Sequence, residues 1–268
     1  MKILCVLLSY YPNEELIKKN LCAYIDYVDK IIIWENTPLY DRERYRFVNN
    51  EKIEYIGADF NSISRALNYA AQYAIANKYD YLLTMDQDSV FCDFGLYYNF
   101  AKEENKDNYV LGPNINNCHS SDLNIIDADL ITSGTLVPVS VLHAISYNEN
   151  FDIDGVDLFF CHELRKRGFH TMIVTNCILI QRYGNPLTKS IFGVKLIIPN
   201  YSAMRIYETI FSHVIVIRFF STTVQFRKYF FTYYLMKMPL KIIFFERSKM
   251  SKIISLCKGL FNGIIKKI

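Results

Sequence analysis

No Cys-x-x-Cys pair occurs among the seven cysteines, which are odd in number and scattered (Cys5, Cys22, Cys92, Cys118, Cys161, Cys177, Cys257). That gives no basis for a zinc ribbon or a disulfide framework, and a reducing cytoplasm is the expected compartment. No run of about 20 uncharged apolar residues is present, so a membrane-spanning helix is not expected. The apolar run 3–8 is too short for a secretory signal and has no cleavage-like site after it. No G-x-G-x-x-G follows the first strand-like segment, which removes the dinucleotide-binding fingerprint. His119, His143, His162, His170 and His213 lack ligand spacing and are expected to be structural or surface residues. Internal repeats and low-complexity segments are also missing.

What is present is an apolar, aromatic chain of 268 residues, 51% hydrophobic and 15% aromatic, with 21 Tyr and 19 Phe. It suffices for one large α/β domain with an appendage. The net charge of +3 hides an asymmetry. Residues 1–204 carry 18 Lys and Arg against 25 Asp and Glu, a net −7, whereas residues 205–268 carry 12 against 2, a net +10. A basic, aromatic tail points to an anionic surface as partner.

The first half alternates strand and helix patterns. Apolar runs at 2–8, 30–36, 52–57 and 79–89 read as strands, and helical spacing recurs over 16–28 and 63–75. This order predicts an α/β fold with a mainly parallel sheet and crossover helices, whose ligand crevice lies beyond the carboxyl ends of the strands. Short strands and a helix near 156–167 follow. A domain over 1–200 and a helical C-terminal region over 201–268 are expected.

Asp86-Gln87-Asp88-Ser89 closes the fourth strand. Two carboxylates two residues apart at a strand end can share one crevice and offer hard oxygen ligands to Mg²⁺ or Mn²⁺ on a diphosphate. Asp154-Gly155-Val156-Asp157 precedes a helix, where a carboxylate is stabilised as the anion and can serve as general base. Helix capping is the plainer role, above all for Asp154. Ser133 and Gly134 in ITSGTLVPV suggest a tight bend with close backbone approach.

Four motifs in order, LLTMDQDS (82–89), ITSG (131–134), IDGVD (153–157) and RKRG (165–168), with the opening VLLSYYP (6–12) in the expected place, resemble the inverting family-two glycosyltransferases, most of all their bacterial rhamnosyltransferase-like branch. IIIWENTP (31–38), the I-x-x-A-L-N run (63–68) and GLFNGIIKK (259–267) extend the resemblance over nearly the whole chain. It implies a GT-A fold. Ser9, Tyr10, Tyr11 and Glu35 would hold the donor base, Glu35 standing where the family usually has Asp. Asp86 would reach the ribose or the metal, Asp88 would ligate the metal, and Arg65 would help neutralise phosphate. Asp157 would be the base that deprotonates the acceptor hydroxyl, with Ser133, Gly134 and Asp154 in the acceptor region.

The chain departs from the pattern at Gln181, where the family usually has a metal- or diphosphate-binding His. Gln181 is therefore a further candidate metal ligand. Phe159 replaces a common acidic residue, Glu163 a common Arg whose role Arg165 could cover, and Ser62 a common glycine. The implied reaction is transfer of a sugar, rhamnose from dTDP-rhamnose in the first instance, to a glycan or lipid-linked acceptor in surface polysaccharide synthesis. A UDP-hexose donor and a degenerate transferase-fold scaffold at the membrane are the alternatives.

In the tail, Lys237, Lys241, Arg247, Lys249 and Lys252 among Tyr233, Phe244 and Phe245 match an interfacial helix that docks on anionic lipid. The expected place is therefore cytoplasmic, peripheral at the inner face of the cell membrane. Packing as extra helices on the catalytic domain is the plainer reading of the same tail, and nothing else in the chain supports nucleic acid as a partner.

Overall fold

The computed structural model describes residues 1–37, 46, 48–58, 61–103, 108–120, 123–182, 187–191 and 194–267, with Ile191 and Val194 described by backbone alone. Pro38, which belongs to a motif quoted above, lies outside the described residues.

Strand β1 (Ile3–Ser9) is buried along its whole length, as a central strand covered on both faces must be. It pairs in parallel with β2 (Lys30–Glu35) and with β4 (Tyr81–Asp86), and β2 pairs in parallel with β3 (Ile53–Gly57). The sheet then continues through β8 (Thr135–Pro138), β6 (Tyr109–Ile115) and β9 (His170–Ile180) to β5 (Val90–Phe91), in the order β3-β2-β1-β4-β8-β6-β9-β5 among the described residues. A short β7 (Ile125–Ile126) pairs with β9. Parallel register predominates: β8 runs antiparallel to β4 and β6, and β6 returns to parallel with β9.

Helices pack on this sheet. In α1 (Glu14–Cys22) the Asn13 side chain accepts from Leu16 N–H at the N-terminus, and Glu14 and Glu15 in the first turn suit the helix dipole. Ile17 and Leu21 turn inward and join Ile3, Cys5, Leu7, Leu83 and Met85 in one buried cluster with Phe94 and Tyr97 of α3 (Phe94–Glu103). The alternate residues Leu4, Val6, Ile32 and Leu82 are equally buried. Against β1 and β4 lies α2 (Ile63–Ala76), whose inward face of Ala66, Ala70, Ala71 and Ala74 permits close packing. Each fully buried Leu or Ile contributes about 1.5–3 kcal/mol, so the strand core dominates the stability of this unit. The remaining helices here are α4 (Val139–Leu142) and α5 (Val156–Lys166).

The chain divides into two compact units: residues 1–152 with 156–182, and residues 153–155 with 183–268. The second contains the antiparallel hairpin of β10 (Leu187–Ile191) and β11 (Val194–Ile198), then α6 (Ala203–Phe219), α7 (Val224–Tyr229), a π-helical stretch (Phe230–Lys237), α8 (Met238–Phe245) and α9 (Lys249–Ile265). Its core joins Ile206, Ile210 and Val214 of α6 to Phe230, Met238, Ile242 and Leu256. Lys252, counted above with the lipid-facing cations, is instead buried. Its ammonium reaches Glu246 at 2.6 Å and Asn200 at 3.2 Å, which compensates the desolvation of both charges.

Candidate active site at the carboxyl edge of the parallel strands

Register alone brings three of the expected site residues to one level. Ser9 pairs with Glu35, Leu8 with Asp86, and Glu35 with Gly57, so Ser9, Glu35 and Asp86 end adjacent parallel strands side by side. Ser9 and Glu35 are buried, and Asp86, Gln87 and Asp88 are half-buried.

The loops beyond these ends are fastened to each other. Gln87 clamps the backbone of Tyr10, accepting from its N–H at 2.8 Å and donating to its carbonyl at 2.9 Å. Tyr11 takes a left-handed φ of 44°, and its N–H donates to Thr37 Oγ1 at 2.9 Å. Both tyrosine side chains are exposed, with their rings edge to face at 4.7 Å. From below, the buried Asn20 of α1 donates to the carbonyls of Asp86 (2.9 Å) and Ser89, and Tyr24 fixes Asn20 by donating to its Oδ1 at 2.6 Å. The acidic turn is thus held by the Gln87 clamp on Tyr10 and by Asn20 of α1.

On the other side of Asp86, Ser133 Oγ accepts from its N–H at 3.2 Å, and Gly134 N–H donates to the Thr84 carbonyl at 2.7 Å. Gly134 has φ +81°, and a Cβ there would lie 2.6 Å from Pro113 Cγ, so the bend demands glycine. The same bend presents Thr132 N–H to Asp157 Oδ2 at 3.3 Å, while Asp157 Oδ1 accepts from Leu158 N–H at 2.8 Å. Asp157 sits in the first turn of α5, where the helix dipole favours its anion. A small cleft lined by Leu67, Thr84, Leu130, Thr132, Asp157 and Phe160 opens beside it. Cys161 also borders this cleft, but burial pushes its thiol up to about 12, which leaves it a packing residue rather than a nucleophile.

Gln181 follows the last residue of β9, and its side chain returns to the centre of this arrangement. Nε2 donates to Asp86 Oδ2 at 3.2 Å, and the buried Oε1 has no hydrogen-bond partner among the described residues. Asn116 holds the Gln181 backbone with two bonds of 3.0 Å, one from its N–H and one to its carbonyl. Among the described residues no three His, Cys, Asp or Glu side chains cluster as a self-sufficient metal site. The candidate residues Asp86, Asp88 and Gln181 offer two carboxylates and an orphaned amide oxygen. That all-oxygen set fits a hard divalent cation whose remaining ligands come from a bound diphosphate.

Three expected residues have other attachments. Arg65, on the exposed side of α2, has an ion pair with Glu149 at 3.7 Å. Asp154 belongs to the C-terminal unit: it pairs with Arg205 at 3.1 Å, accepts from Thr209 Oγ1 at 3.3 Å, and its N–H donates to Glu208 at 3.1 Å. Desolvation pushes its carboxyl above the ordinary value, against the opposing Arg205 charge. Arg165 bonds Asp129 at 2.6 Å and the Asp127 carbonyl at 3.2 Å, and Glu163 pairs with Arg167 at 2.8 Å.

Sequence reading overlooked Asn20, Asn116 and Thr132. Asn20 alone carried a signal, as a polar residue in the buried stripe between Ile17 and Leu21.

No protein-family model matches the chain, and no curated protein sequence matches it. Solved structures do. GalNAc-T7, crystallised with UDP, GalNAc and Mn²⁺, superposes over 98% of this chain with a TM-score of 0.61 at 11% identity. The chain spans 56% of GalNAc-T7, little more than half its length. Residues 1–349 of Staphylococcus aureus TarS give a TM-score of 0.58 at 12% identity, covering 99% of this chain and 81% of TarS. Their complex with UDP-GlcNAc gives 0.58 at 14% identity, covering 98% and 82%. At these identities the likeness speaks for architecture: this chain has the mixed α/β fold of the GT-A glycosyltransferases, with added C-terminal helices.

Proposed function

We propose that the protein is an inverting, divalent-metal-assisted glycosyltransferase that moves a sugar from a nucleoside diphosphate donor to a hydroxyl of a glycan or lipid-linked acceptor. The observation that carries this reading is the convergence of two chains of contact on Asp86. Parallel register sets it at the end of the strand next to β1, with Glu35 on the far side of Ser9, and Ser133 in the adjacent bend joins it to the Thr132–Asp157 bond. This supports a reading in which donor site and base lie on one short stretch of backbone.

In this reading Ser9, Tyr10, Tyr11 and Glu35 hold the nucleoside, and Arg65 neutralises phosphate charge. Asp86, Asp88 and the Gln181 amide oxygen would hold Mg²⁺ or Mn²⁺, which when bound offsets the charge of the departing diphosphate. Asp157 accepts the proton of the acceptor hydroxyl. The oxygen forms its bond to the anomeric carbon from the face opposite the leaving group, and the carbon–oxygen bond to phosphate breaks with its electron pair on the diphosphate. Ser133 and Gly134 belong to the acceptor region. Hydrogen bonds from Thr132 and Leu158 orient Asp157.

The family resemblance favours dTDP-rhamnose as donor and surface polysaccharide as product, made at the inner face of the cell membrane. The likeness to two proteins crystallised with UDP favours a UDP-hexose as the second reading. Calorimetric titration of the full chain with dTDP, UDP, GDP and ADP, each with and without Mn²⁺ or Mg²⁺, decides between them. Metal-dependent binding of dTDP or UDP, lost in Asp88→Ala, is the expected result. No binding of any nucleotide would overturn the transferase reading in favour of a scaffold.

A further inference from the structure

Helix α9 carries two apolar faces where its packing needs one. The inner face is fixed by contact with α6: a Cβ on Gly259 would lie 2.7 Å from the Tyr207 carbonyl, and one on Gly263 would lie 2.8 Å from Val214 Cβ. Lys252 and Leu256 complete that face, both buried. Met250, Ile254, Cys257, Phe261 and Ile264 recur at alternating spacings of four and three, which places them on one stripe opposite the packed face. All five are exposed, Met250 at 74% and Phe261 at 63%. Nothing among the described residues of this unit covers the stripe, and a continuous apolar ridge of this length marks an interaction surface.

The charge around it selects the partner. From Tyr183 onward the sequence has two acidic residues, Glu208 and Glu246, and both are buried. Glu246 is further neutralised by Lys252. The exposed charges on and beside α9 are Arg247, Lys249, Lys258, Lys266 and Lys267, all cationic. A second copy docking by the same face would set like charge against like. A bilayer with anionic headgroups satisfies both features, because apolar side chains enter the headgroup–acyl boundary while flanking lysines meet lipid phosphates.

We infer that α9 docks this protein on an anionic lipid surface, lying in the plane of the interface with Met250, Ile254, Cys257, Phe261 and Ile264 inserted. This names the element behind the membrane-side location proposed above. Its evidence is exposure and charge in the C-terminal unit alone, so it stands or falls apart from the catalytic reading.

The test is co-sedimentation of the full chain with phosphatidylglycerol–phosphatidylcholine vesicles and with pure phosphatidylcholine vesicles. Binding to the anionic vesicles, weakened by salt, is expected, with a loss of at least about tenfold in the doubly substituted Ile254→Asp, Phe261→Asp chain. Both positions are exposed, so circular dichroism should show an unchanged fold. A second probe uses Phe261→Trp, because Trp34, the single native tryptophan, is buried. The emission of the introduced indole should shift to shorter wavelength on anionic vesicles and stay put on neutral ones. Equal sedimentation of wild type and the double variant would overturn the assignment, as would an unmoved emission from Phe261→Trp in a pelleted chain. So would a wild-type dimer that the double variant breaks, since a second copy would then cover the stripe. Loss of nucleotide binding has no bearing on any of these readouts.

Discussion

Gln181 donates to Asp86 across 95 residues of sequence, Nε2 to Oδ2 at 3.2 Å, and keeps its amide oxygen buried without a partner among the described residues. A neutral amide beside a carboxylate adds an oxygen rather than an imidazole nitrogen at this position. In the proposed function that composition would favour a hard cation, since carboxylate and carbonyl oxygens suit Mg²⁺ and imidazole suits softer transition metals.

Replacing Gln181 by His should therefore change metal preference rather than abolish binding. Nucleotide titrations at graded metal concentration should show the Mn²⁺ to Mg²⁺ affinity ratio rising by about tenfold in the variant. An unchanged ratio would remove Gln181 from the metal shell.

Asp157→Asn keeps an acceptor oxygen for the Leu158 N–H but cannot take a proton at neutral pH. Sugar transfer should fall by about 10²–10⁴-fold, with donor affinity nearly unchanged. A rate equal to wild type would show that another group serves as base.

Asn20→Ala strips the shared donor from the Asp86 and Ser89 carbonyls and leaves Tyr24 without its acceptor. The buried groups left unpaired should cost about 1–3 kcal/mol, read as a lower urea midpoint. Donor binding should weaken too, because the acidic turn loses its support. Intact stability would mean that water replaces the amide.

Gly134→Ala forces a side chain into left-handed backbone and against Pro113. Strain and overpacking together should cost about 2–4 kcal/mol. The damage should reach the site as well, because the bend carries Ser133 to Asp86 and Thr132 to Asp157. A thermal midpoint within a degree or so of wild type would contradict the close approach.

Asp154 supplies a dependence on pH. Its carboxyl is raised on folding, so its protonated form is favoured in the folded state. The stability this gives is fully present below the ordinary value of 3.8 and is lost as pH rises through the higher folded value. Urea unfolding at stepped pH should show a smaller loss above 3.8 in Asp154→Asn than in wild type. Parallel profiles would place Asp154 in solvent-like surroundings.

The alternation of strands and helices, the acidic turn at Asp86–Asp88, the helix start before Asp157 and the basic tail are all legible in the sequence. Each is written in neighbouring residues, through periodicity, charge or turn chemistry. Local pattern could not say that Asn20 bears on Asp86, that Arg65 meets Glu149 or that Gln181 closes on Asp86, because those pairings depend on strand register and loop path between distant segments. Nor could it distinguish the two faces of α9. Lysine at position 252 reads locally as a solvated cation, yet the fold buries it against Glu246, while Phe261 and Met250, apolar by any local measure, stand in solvent. Burial is a property of what packs around a residue, and it is settled only when the chain has folded.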